Sequence, residues 1–340
     1  MRSVIMRCDA SPAIGFGHLF RSLALARELS DREASVSFAM VDDGNARRIV
    51  EGEGYDIRVA ADIDSRSGFD ALVLDVRSTV DSPTGWIDAL RSQGIVVADI
   101  DDPTDCRLSA DLVFYPPVPQ IEELDWRSFS GSRFVGAEWI VLRRAFAEAP
   151  VRRMREHLTV LVTMGGSDPG GMTATAIDGI ARMPEPFDLH VVLGPGFVNR
   201  LEIAGWLQRL GRRAMLFEAP SNMRSIMLDA DIAVASFGVT AYELAATATP
   251  AVYLCLTADH ARSASVLEQA GAAIVLGVHT GEEAPRIAGA LRTLLSQRER
   301  RLEMGRAGRA LVDGRGAARV ADRIVQEMER RRPSSKRSRT

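Results

Sequence analysis

Residues 7–29, RCDASPAIGFGHLFRSLALAREL, decide the fold of this chain. A short apolar strand over residues 3–6 precedes them, and an amphipathic helix is predicted over residues 19–29. Between the two, Gly15 and Gly17 flank Phe16, and His18 stands where the helix should begin. A glycine-rich turn between a strand and a helix leaves backbone N–H groups free to bind a phosphate or carboxylate. The stretch therefore predicts a βα unit with an anion-binding turn.

The sequence allows two interpretations of His18. Imidazole is the side chain that gives or takes a proton near neutral pH, so His18 is a candidate catalytic base of an enzyme that acts on a phosphorylated sugar. The alternative is a purely structural turn in which His18 caps the helix. A single glycine-rich turn does not decide between them, because such turns are weak signals.

Composition predicts a globular protein of two domains. The chain has 340 residues, of which 46% are hydrophobic and 26% charged, and a domain usually takes about 150 residues. No apolar run approaches the ~18–20 residues of a membrane span, and the N-terminal residues do not have the pattern of a signal peptide. The three cysteines, Cys8, Cys106 and Cys255, are far apart and predict neither a disulfide framework nor a zinc site. We expect a cytoplasmic protein.

The charge is unevenly distributed along the chain. The net charge is −3, but residues 330–340, RRRPSSKRSRT, hold six Lys and Arg and no acid, which leaves 36 basic against 45 acidic residues, a net charge of −9, in residues 1–329. An acidic body is a poor nucleic-acid-binding surface, so no nucleic-acid partner is predicted. The basic tail is typical of a solvated, disordered end. Contact with an anionic lipid or another acidic partner is the alternative.

Strands and helices alternate in two series. The first occupies residues 1–145, with buried strands predicted over residues 35–41, 71–75, 95–100 and 112–115. A charged segment, residues 141–157, predicts a link to a second series over residues 155–310, and a final helix is expected over residues 311–329. Such alternation predicts an α/β protein of two Rossmann-like domains, each a doubly wound parallel sheet. Ligands bind such proteins at the carboxyl ends of the strands, here in a cleft between the domains.

A second glycine-rich turn follows the strand predicted over residues 158–163. Its sequence over residues 164–171 is MGGSDPGG. Gly165, Gly166 and Ser167 offer backbone amides and a hydroxyl to a diphosphate or a sugar, and Asp168 before Pro169 is typical of a helix cap. A capped turn with no ligand is the alternative.

A third turn lies in residues 236–243, SFGVTAYE. Ser236, Gly238 and Thr240 would line a turn that opens a helix, and the N-terminus of that helix suits a diphosphate. Glu243 follows about one turn later, where a carboxylate accepts hydrogen bonds from both hydroxyls of a ribose. The alternative is a surface acid that complements the helix dipole.

Further polar residues are expected near the cleft. Asp259 and His260 are predicted in a loop over residues 257–260, as contacts for the sugar or base or as a helix cap. Asp75, Asp101 and Asp102 follow buried strands and would hold sugar hydroxyls or steer His18. Their spacing is not a metal motif, so we predict neither a metal nor another cofactor.

Together these motifs resemble the UDP-sugar hydrolase of pseudaminic acid synthesis and its relatives of the spore-coat-polysaccharide type, and more distantly the peptidoglycan N-acetylglucosaminyltransferase. The resemblance extends over residues 1–310. It is carried by Arg7, Asp9, Ser11, residues 14–18, Arg21, residues 23–26, Asp75, Asp101, Asp102, Gly136, Leu142, Arg143, residues 165–169, residues 194–196 and Glu243.

The resemblance implies a GT-B fold with UDP bound mainly by the C-terminal domain. It also implies that His18 activates water for attack on the anomeric carbon, that UDP leaves without help from a metal, and that Glu243 binds the ribose. The sugar is then expected against a set of residues from both domains: Asp9, Gly15, Gly17, Arg21, Asp75, Asp259 and His260.

The chain departs from this family around the sugar. The hydrolase has a Gly-Gly-Ser-Thr turn and a Trp before the Glu, where this chain has residues 237–240, FGVT, and Tyr242. It has an Asn-Gln pair where this chain has Asp259 and His260. Three functions therefore stay open: a nucleotide-sugar hydrolase, a GT-B glycosyltransferase with a sugar hydroxyl as nucleophile, and a non-catalytic nucleotide-sugar-binding partner.

Overall fold

The structure is a computed structural model that describes residues 2–11, 15–41, 43–59, 68–76, 84–151, 157–210 and 213–331. In it, two parallel β-sheets with helices on their faces form the two halves of the molecule. This confirms the α/β class and the two doubly wound sheets predicted from the alternating pattern.

The N-terminal sheet has seven strands in the order β3-β2-β1-β4-β5-β6-β7. These are β1 (Arg2–Cys8), β2 (Ala34–Met40), β3 (Asp56–Val59), β4 (Ala71–Asp75), β5 (Val96–Ile100), β6 (Leu112–Tyr115) and β7 (Ser132–Val135), joined by α1 (Gly17–Ser30), α2 (Gly44–Gly52) and α3 (Gly85–Ser92) and by short 3-10 turns. The direction of winding reverses between β1 and β4, which are hydrogen-bonded neighbours. Such a reversal opens a crevice at the carboxyl ends of the two strands.

The C-terminal sheet repeats this plan with six strands in the order β10-β9-β8-β11-β12-β13. Its strands are β8 (Thr159–Thr163), β9 (Asp188–Leu193), β10 (Ala214–Glu218), β11 (Ile232–Ser236), β12 (Ala251–Cys255) and β13 (Ala273–Val278). The helices are α4 (Met172–Ala181), α5 (Arg200–Arg209), α6 (Met223–Leu228), α7 (Val239–Ala246), α8 (Ala258–Gln269), α9 (Ala284–Ser296), α10 (Arg298–Leu311) and α11 (Gly316–Arg331). Here the reversal lies between β8 and β11.

Several elements escaped the sequence prediction. The strands β3, DIRV, and β7, SRFV, are four-residue edge strands with polar residues, so they lack the long apolar run of a central strand. The edge strand β13 and the helices α5 and α6 were also missed. The predicted loop over residues 257–260 was wrong, because α8 already begins at Ala258 and the Thr257 hydroxyl oxygen accepts a hydrogen bond from the His260 N–H at 3.1 Å.

The last helix, α11, packs on the N-terminal sheet although it follows the C-terminal one. Val320, Ala321, Ile324 and Met328 recur at helical spacing and are buried in the same core as Leu25 of α1. The chain therefore crosses back to its first domain at its end.

The start of the basic tail is part of α11. Arg330 and Arg331 are helical, and Arg331 pairs with Asp111 at 2.6 Å and with Glu327 at 2.8 Å. The prediction of a disordered end from residue 330 was therefore wrong for these two residues, and residues 332–340 lie outside the described part of the chain.

The crossing of α11 predicts the effect of truncating its buried side. Ile324→Ala should lower the free energy of unfolding by about 2–5 kcal/mol, because it opens a cavity in the N-terminal core. Urea unfolding followed by circular dichroism measures the change. Gln326→Ala, on the exposed side of the same helix, is the control, and equal losses in both variants would contradict the packing of α11.

Candidate active site

Three glycine turns meet at the carboxyl ends of the two sheets. We call residues 15–17 the first, residues 164–171 the second and residues 236–240 the third glycine turn. A Cβ on Gly166 would lie 3.5 Å from the Phe16 backbone nitrogen, and one on Gly165 would lie 3.6 Å from the Ser236 hydroxyl oxygen. The second turn therefore lies between the other two. It bridges the domains where the predicted cleft should be.

Two of these turns need glycine for conformational reasons. Gly15 has φ +92° and Gly165 has φ +75°, values that side chains disfavour. The second turn is also closely packed by the chain after β9, because the Gly196 N–H donates to the Gly166 carbonyl oxygen at 2.8 Å. Backbone amides are thus held at the meeting point of two domains.

His18 lies in the first turn of α1, but it does not cap the helix. Phe16 is the N-cap residue, without a side-chain cap bond. The His18 ring turns towards β4, where its Nδ1 lies 2.7 Å from Oδ1 of Asp75. A carboxylate only accepts hydrogen bonds, so Nδ1 carries the proton and Nε2 is left as the basic atom. The helix-cap interpretation of His18 was therefore wrong.

Asp75 is the last residue of β4, and its side chain is 1% exposed. Burial raises the pKa of this carboxyl, but the charge and hydrogen bonds of Arg21 outweigh burial and lower the pKa to about 2. Arg21 donates from Nε at 2.9 Å and from Nη2 at 2.5 Å, and the Ser22 hydroxyl donates at 3.2 Å. Of the two roles expected for Asp75, these contacts support the steering of His18 over a direct contact with a sugar.

Arg21 links Asp75 to a second carboxylate. Its Nη1 donates to Oδ2 of Asp101 at 2.9 Å, which makes Arg21 part of this network, whereas its predicted contact with the sugar stays a prediction. Asp102 turns elsewhere and accepts hydrogen bonds from the Thr104 N–H at 2.9 Å and from its hydroxyl at 3.0 Å. Asp75 and Asp101 thus share Arg21, whereas Asp102 is bound by Thr104.

Asp9 follows β1 and is also engaged. Its oxygens accept hydrogen bonds from Arg7 at 2.6 and 2.8 Å, and one of them accepts from the Val41 N–H at 2.9 Å. These contacts join the ends of β1 and β2. The predicted role of Asp9 in sugar binding stays a prediction.

Glu243 lies in α7 beneath the third glycine turn and is 9% exposed. Burial raises the pKa of its carboxyl, and Arg143, which donates to Oε1 at 3.2 Å, opposes the rise. Arg143 also donates to the Ser221 carbonyl oxygen at 3.2 Å. The interpretation of Glu243 as a surface acid was therefore wrong: it is a buried carboxylate that holds a cation from the segment between the domains.

Asp168 caps α4, as its sequence context predicts. Its two carboxylate oxygens accept hydrogen bonds from the Met172 N–H at 2.9 Å and from the Thr173 N–H at 2.8 Å. Burial raises the pKa of this carboxyl. The contacts that the sequence predicts between a diphosphate and Gly165, Gly166, Ser167 and Asp168 stay a prediction.

Asp259 and His260 lie in the first turn of α8, and the N-terminal domain holds them there. Gln120 donates from Nε2 to the Asp259 carbonyl oxygen at 2.8 Å and to the Ser263 hydroxyl at 3.0 Å. The His260 ring lies 6.1 Å from the Phe237 ring of the third turn. No local pattern around Gln120 predicts this contact, because its partners are about 140 residues away.

Comparison with solved structures gives the fold its name. MurG of Acinetobacter baumannii has a TM-score of 0.67 at 18% identity, over 96% of this chain and 100% of that one. The S. aureus MnaA–UDP complex scores 0.65 at 13% identity, over 97% of both chains. Anabaena HepE in complex with UDP and glucose scores 0.59 at 13%, over 95% of this chain and 99% of that one. The protein has the GT-B fold.

The relatives found by sequence match only part of the chain. The chain is 25% identical over 201 residues, 57% of its length, to the spore coat polysaccharide biosynthesis protein SpsG of Bacillus subtilis. It is 24% identical over 265 residues, 72% of its length, to the uncharacterized protein MJ1062 of Methanocaldococcus jannaschii. The chain spans only 58% and 54% of these relatives, respectively. No protein-family model matches it.

Neither a metal site nor a membrane span is found in the described residues. In this part of the chain no group of three or more His, Cys, Asp and Glu has the arrangement of a metal site. None of the helices that the structure describes is long and apolar enough to cross a membrane.

The lowered pKa of Asp75 predicts a pH-dependent stability. Its pKa is about 2 in the folded protein and 3.8 in a free carboxyl, so ionised Asp75 stabilises the fold above pH ~4, and this is lost as the pH falls towards 2. The contribution is on the order of 2 kcal/mol. Urea unfolding between pH 2 and 6 should show this component in the wild type and not in Asp75→Asn. If the free energy of unfolding depends on pH in the same way in both proteins, the lowered pKa of Asp75 is contradicted.

Proposed function

We propose that this protein is a UDP-sugar hydrolase of surface-glycan synthesis, which releases UDP from an amino-deoxy sugar of a nonulosonic acid pathway. The observation that carries the proposal is the His18–Asp75 pair beside the three glycine turns. Asp75 keeps the ring proton on Nδ1 and so presents Nε2 as a base. The His18 side chain is 23% exposed, so substrate has access to it.

In the proposed reaction, Nε2 of His18 takes a proton from a water molecule as the water oxygen attacks the anomeric carbon. The bond between this carbon and the diphosphate oxygen breaks, and its electron pair leaves with UDP. Asp75 stays ionised and stabilises the imidazolium that forms. The proton then returns to solvent, which regenerates the base.

The C-terminal domain would hold the nucleotide. Glu243 is buried in the middle of α7, where it would accept hydrogen bonds from the ribose hydroxyls in place of Arg143. Ser236, Gly238 and Thr240 would place the diphosphate at the N-terminus of α7. The solved structures of MnaA and HepE with UDP and the name of SpsG support a UDP-linked substrate in polysaccharide synthesis.

A glycosyltransferase with the same base is the second candidate. Phe20 in the first turn of α1, Val41 directly after β2 and Trp86 at the start of α3 are 38%, 60% and 40% exposed. Exposed apolar side chains on the N-terminal domain favour an acceptor molecule there. In that case a sugar hydroxyl replaces water as the nucleophile.

An acceptor-free assay tests the proposal. The purified protein is incubated with a panel of nucleotide sugars, and free nucleotide is measured. A hydrolase releases UDP without an acceptor. Release of UDP that requires an added acceptor would contradict hydrolysis and support the transferase. If no UDP is released with or without an acceptor, both enzymatic functions are contradicted, and the non-catalytic nucleotide-sugar-binding partner is the remaining function.

His18→Ala should lower kcat by about 10²–10⁴-fold in this assay, the usual effect of removing a general base. The affinity for UDP, measured by calorimetry, should change little, because the nucleotide is held by the other domain. His157→Ala, an exposed histidine before β8, is the matched control. Full turnover by His18→Ala would exclude His18 as the base.

Glu243→Gln should weaken UDP binding about 10- to 100-fold, the range for hydrogen bonds to a charged group. The sharper measurement compares UDP with its 2′,3′-dideoxy analogue by calorimetry. The wild type should prefer UDP, and the variant should lose most of that preference. Glu202→Gln changes an exposed acid in the first turn of α5, and this control variant should keep the preference for UDP. An unchanged preference in Glu243→Gln would place the ribose elsewhere.

A further inference from the structure

The His18–Asp75 pair has an unusual third member. Arg21 binds both oxygens of Asp75, and its Nη2 also lies 3.3 Å from His18 Nδ1. Both of these nitrogens carry protons, so their approach is not a hydrogen bond. A fixed positive charge at this distance disfavours the imidazolium that a catalytic base becomes. It also offsets part of the negative charge by which Asp75 stabilises that imidazolium.

Asp101 offsets this charge. Its Oδ2 accepts a hydrogen bond from Arg21 Nη1 at 2.9 Å. One guanidinium between two carboxylates leaves the group of Arg21, Asp75 and Asp101 with a net charge of −1. That charge balances the positive charge that His18 gains when it takes a proton.

The backbone of Asp101 has an uncommon conformation for a residue with a side chain. Its φ is +65°, in the left-handed region that few residues other than Gly, Asn and Asp adopt. The Asp101 N–H donates to the Phe114 carbonyl oxygen at 3.0 Å, which fixes the turn after β5. Residues with such sparsely populated backbone angles cluster at active sites, where they position a functional group.

We propose that Asp101 is a positioning residue, which acts through Arg21 and Asp75 to hold the His18 imidazole and to supply the charge that stabilises its protonated form. The inference rests on the proposed role of His18 as base. Asp101 itself need not touch the substrate. The sequence predicts that Asp101 either holds sugar hydroxyls or steers His18, but it does not predict the link through Arg21 and Asp75, because this network joins residues 54 and 80 positions apart.

Two variants separate charge from geometry. Asn tolerates the left-handed backbone and still accepts from Arg21, so Asp101→Asn removes only the charge. Gly relaxes the backbone and removes the acceptor, so Asp101→Gly should keep or raise the melting temperature while it loosens Arg21 and Asp75. Asp105→Asn is the control, because Asp105 is an exposed carboxylate four residues further on that pairs with Arg107 at 2.8 Å.

Two readouts are measured for each variant. The first is kcat and KM for the nucleotide sugar. The second is the low-field proton resonance of the His18 Nδ1–H in the ¹⁵N-histidine-labelled protein, identified by its loss in His18→Ala. His279 provides an internal reference, since its Nδ1 lies 2.7 Å from Oε2 of Glu283 in the other domain. Its resonance should not change in either Asp101 variant.

We expect Asp101→Asn to lower kcat about 10-fold at unchanged KM and to shift the His18 resonance, and Asp101→Gly to lower kcat about 100-fold and to abolish it. The proposal is overturned if both variants keep the wild-type kcat and resonance, or if Asp105→Asn changes them equally. Should the wild type turn over no nucleotide sugar, the proposed function fails, and the resonance alone still decides whether Asp101 positions His18.

Discussion

An ionised carboxylate buried at the end of β4 is the constraint on which the site depends. An isolated buried charge is costly unless it is paired and hydrogen-bonded. Asp75 meets this requirement with Arg21, Ser22 and His18, all from the first half of α1. These three residues lie within one helical turn of each other, so one carboxylate fixes the rotation of α1 against the sheet. The fold and the orientation of the candidate base therefore have the same cause.

The position of Asp75 follows from the topology. His18 comes after β1 and Asp75 ends β4, and these two strands are neighbours because the winding of the sheet reverses between them. The C-terminal sheet reverses in the same way between β8 and β11, whose ends carry the second and third glycine turns. The candidate base thus lies at the carboxyl end of one sheet, and the second and third glycine turns lie at the carboxyl end of the other. Neither domain alone contains both.

The sequence reveals features that depend on a few consecutive residues more fully than contacts between distant residues. The glycine turns, the cap formed by Asp168 and the position of Glu243 in a helix were predictable, because each depends on a few consecutive residues. The steering of His18 by Asp75, 57 residues away, was expected only as one of two alternatives, and the pairing of Arg143 with Glu243, 100 residues apart, was not predicted. A final helix was likewise expected, but not the sheet on which it packs. Which helices and strands pack against each other depends on contacts between distant parts of the chain, which local patterns do not reveal.

The segment between the domains connects the two halves of the site. Arg143 binds Glu243 in the C-terminal domain, and the next residue, Arg144, binds Glu28 at 2.8 Å and also Asp31, at the end of α1. The other end of α1 carries His18. A ribose that takes the place of Arg143 on Glu243 therefore frees one of two adjacent arginines, while the other still holds the helix of the candidate base. The proposed ribose site and the candidate base are in this way joined through one peptide unit and one helix.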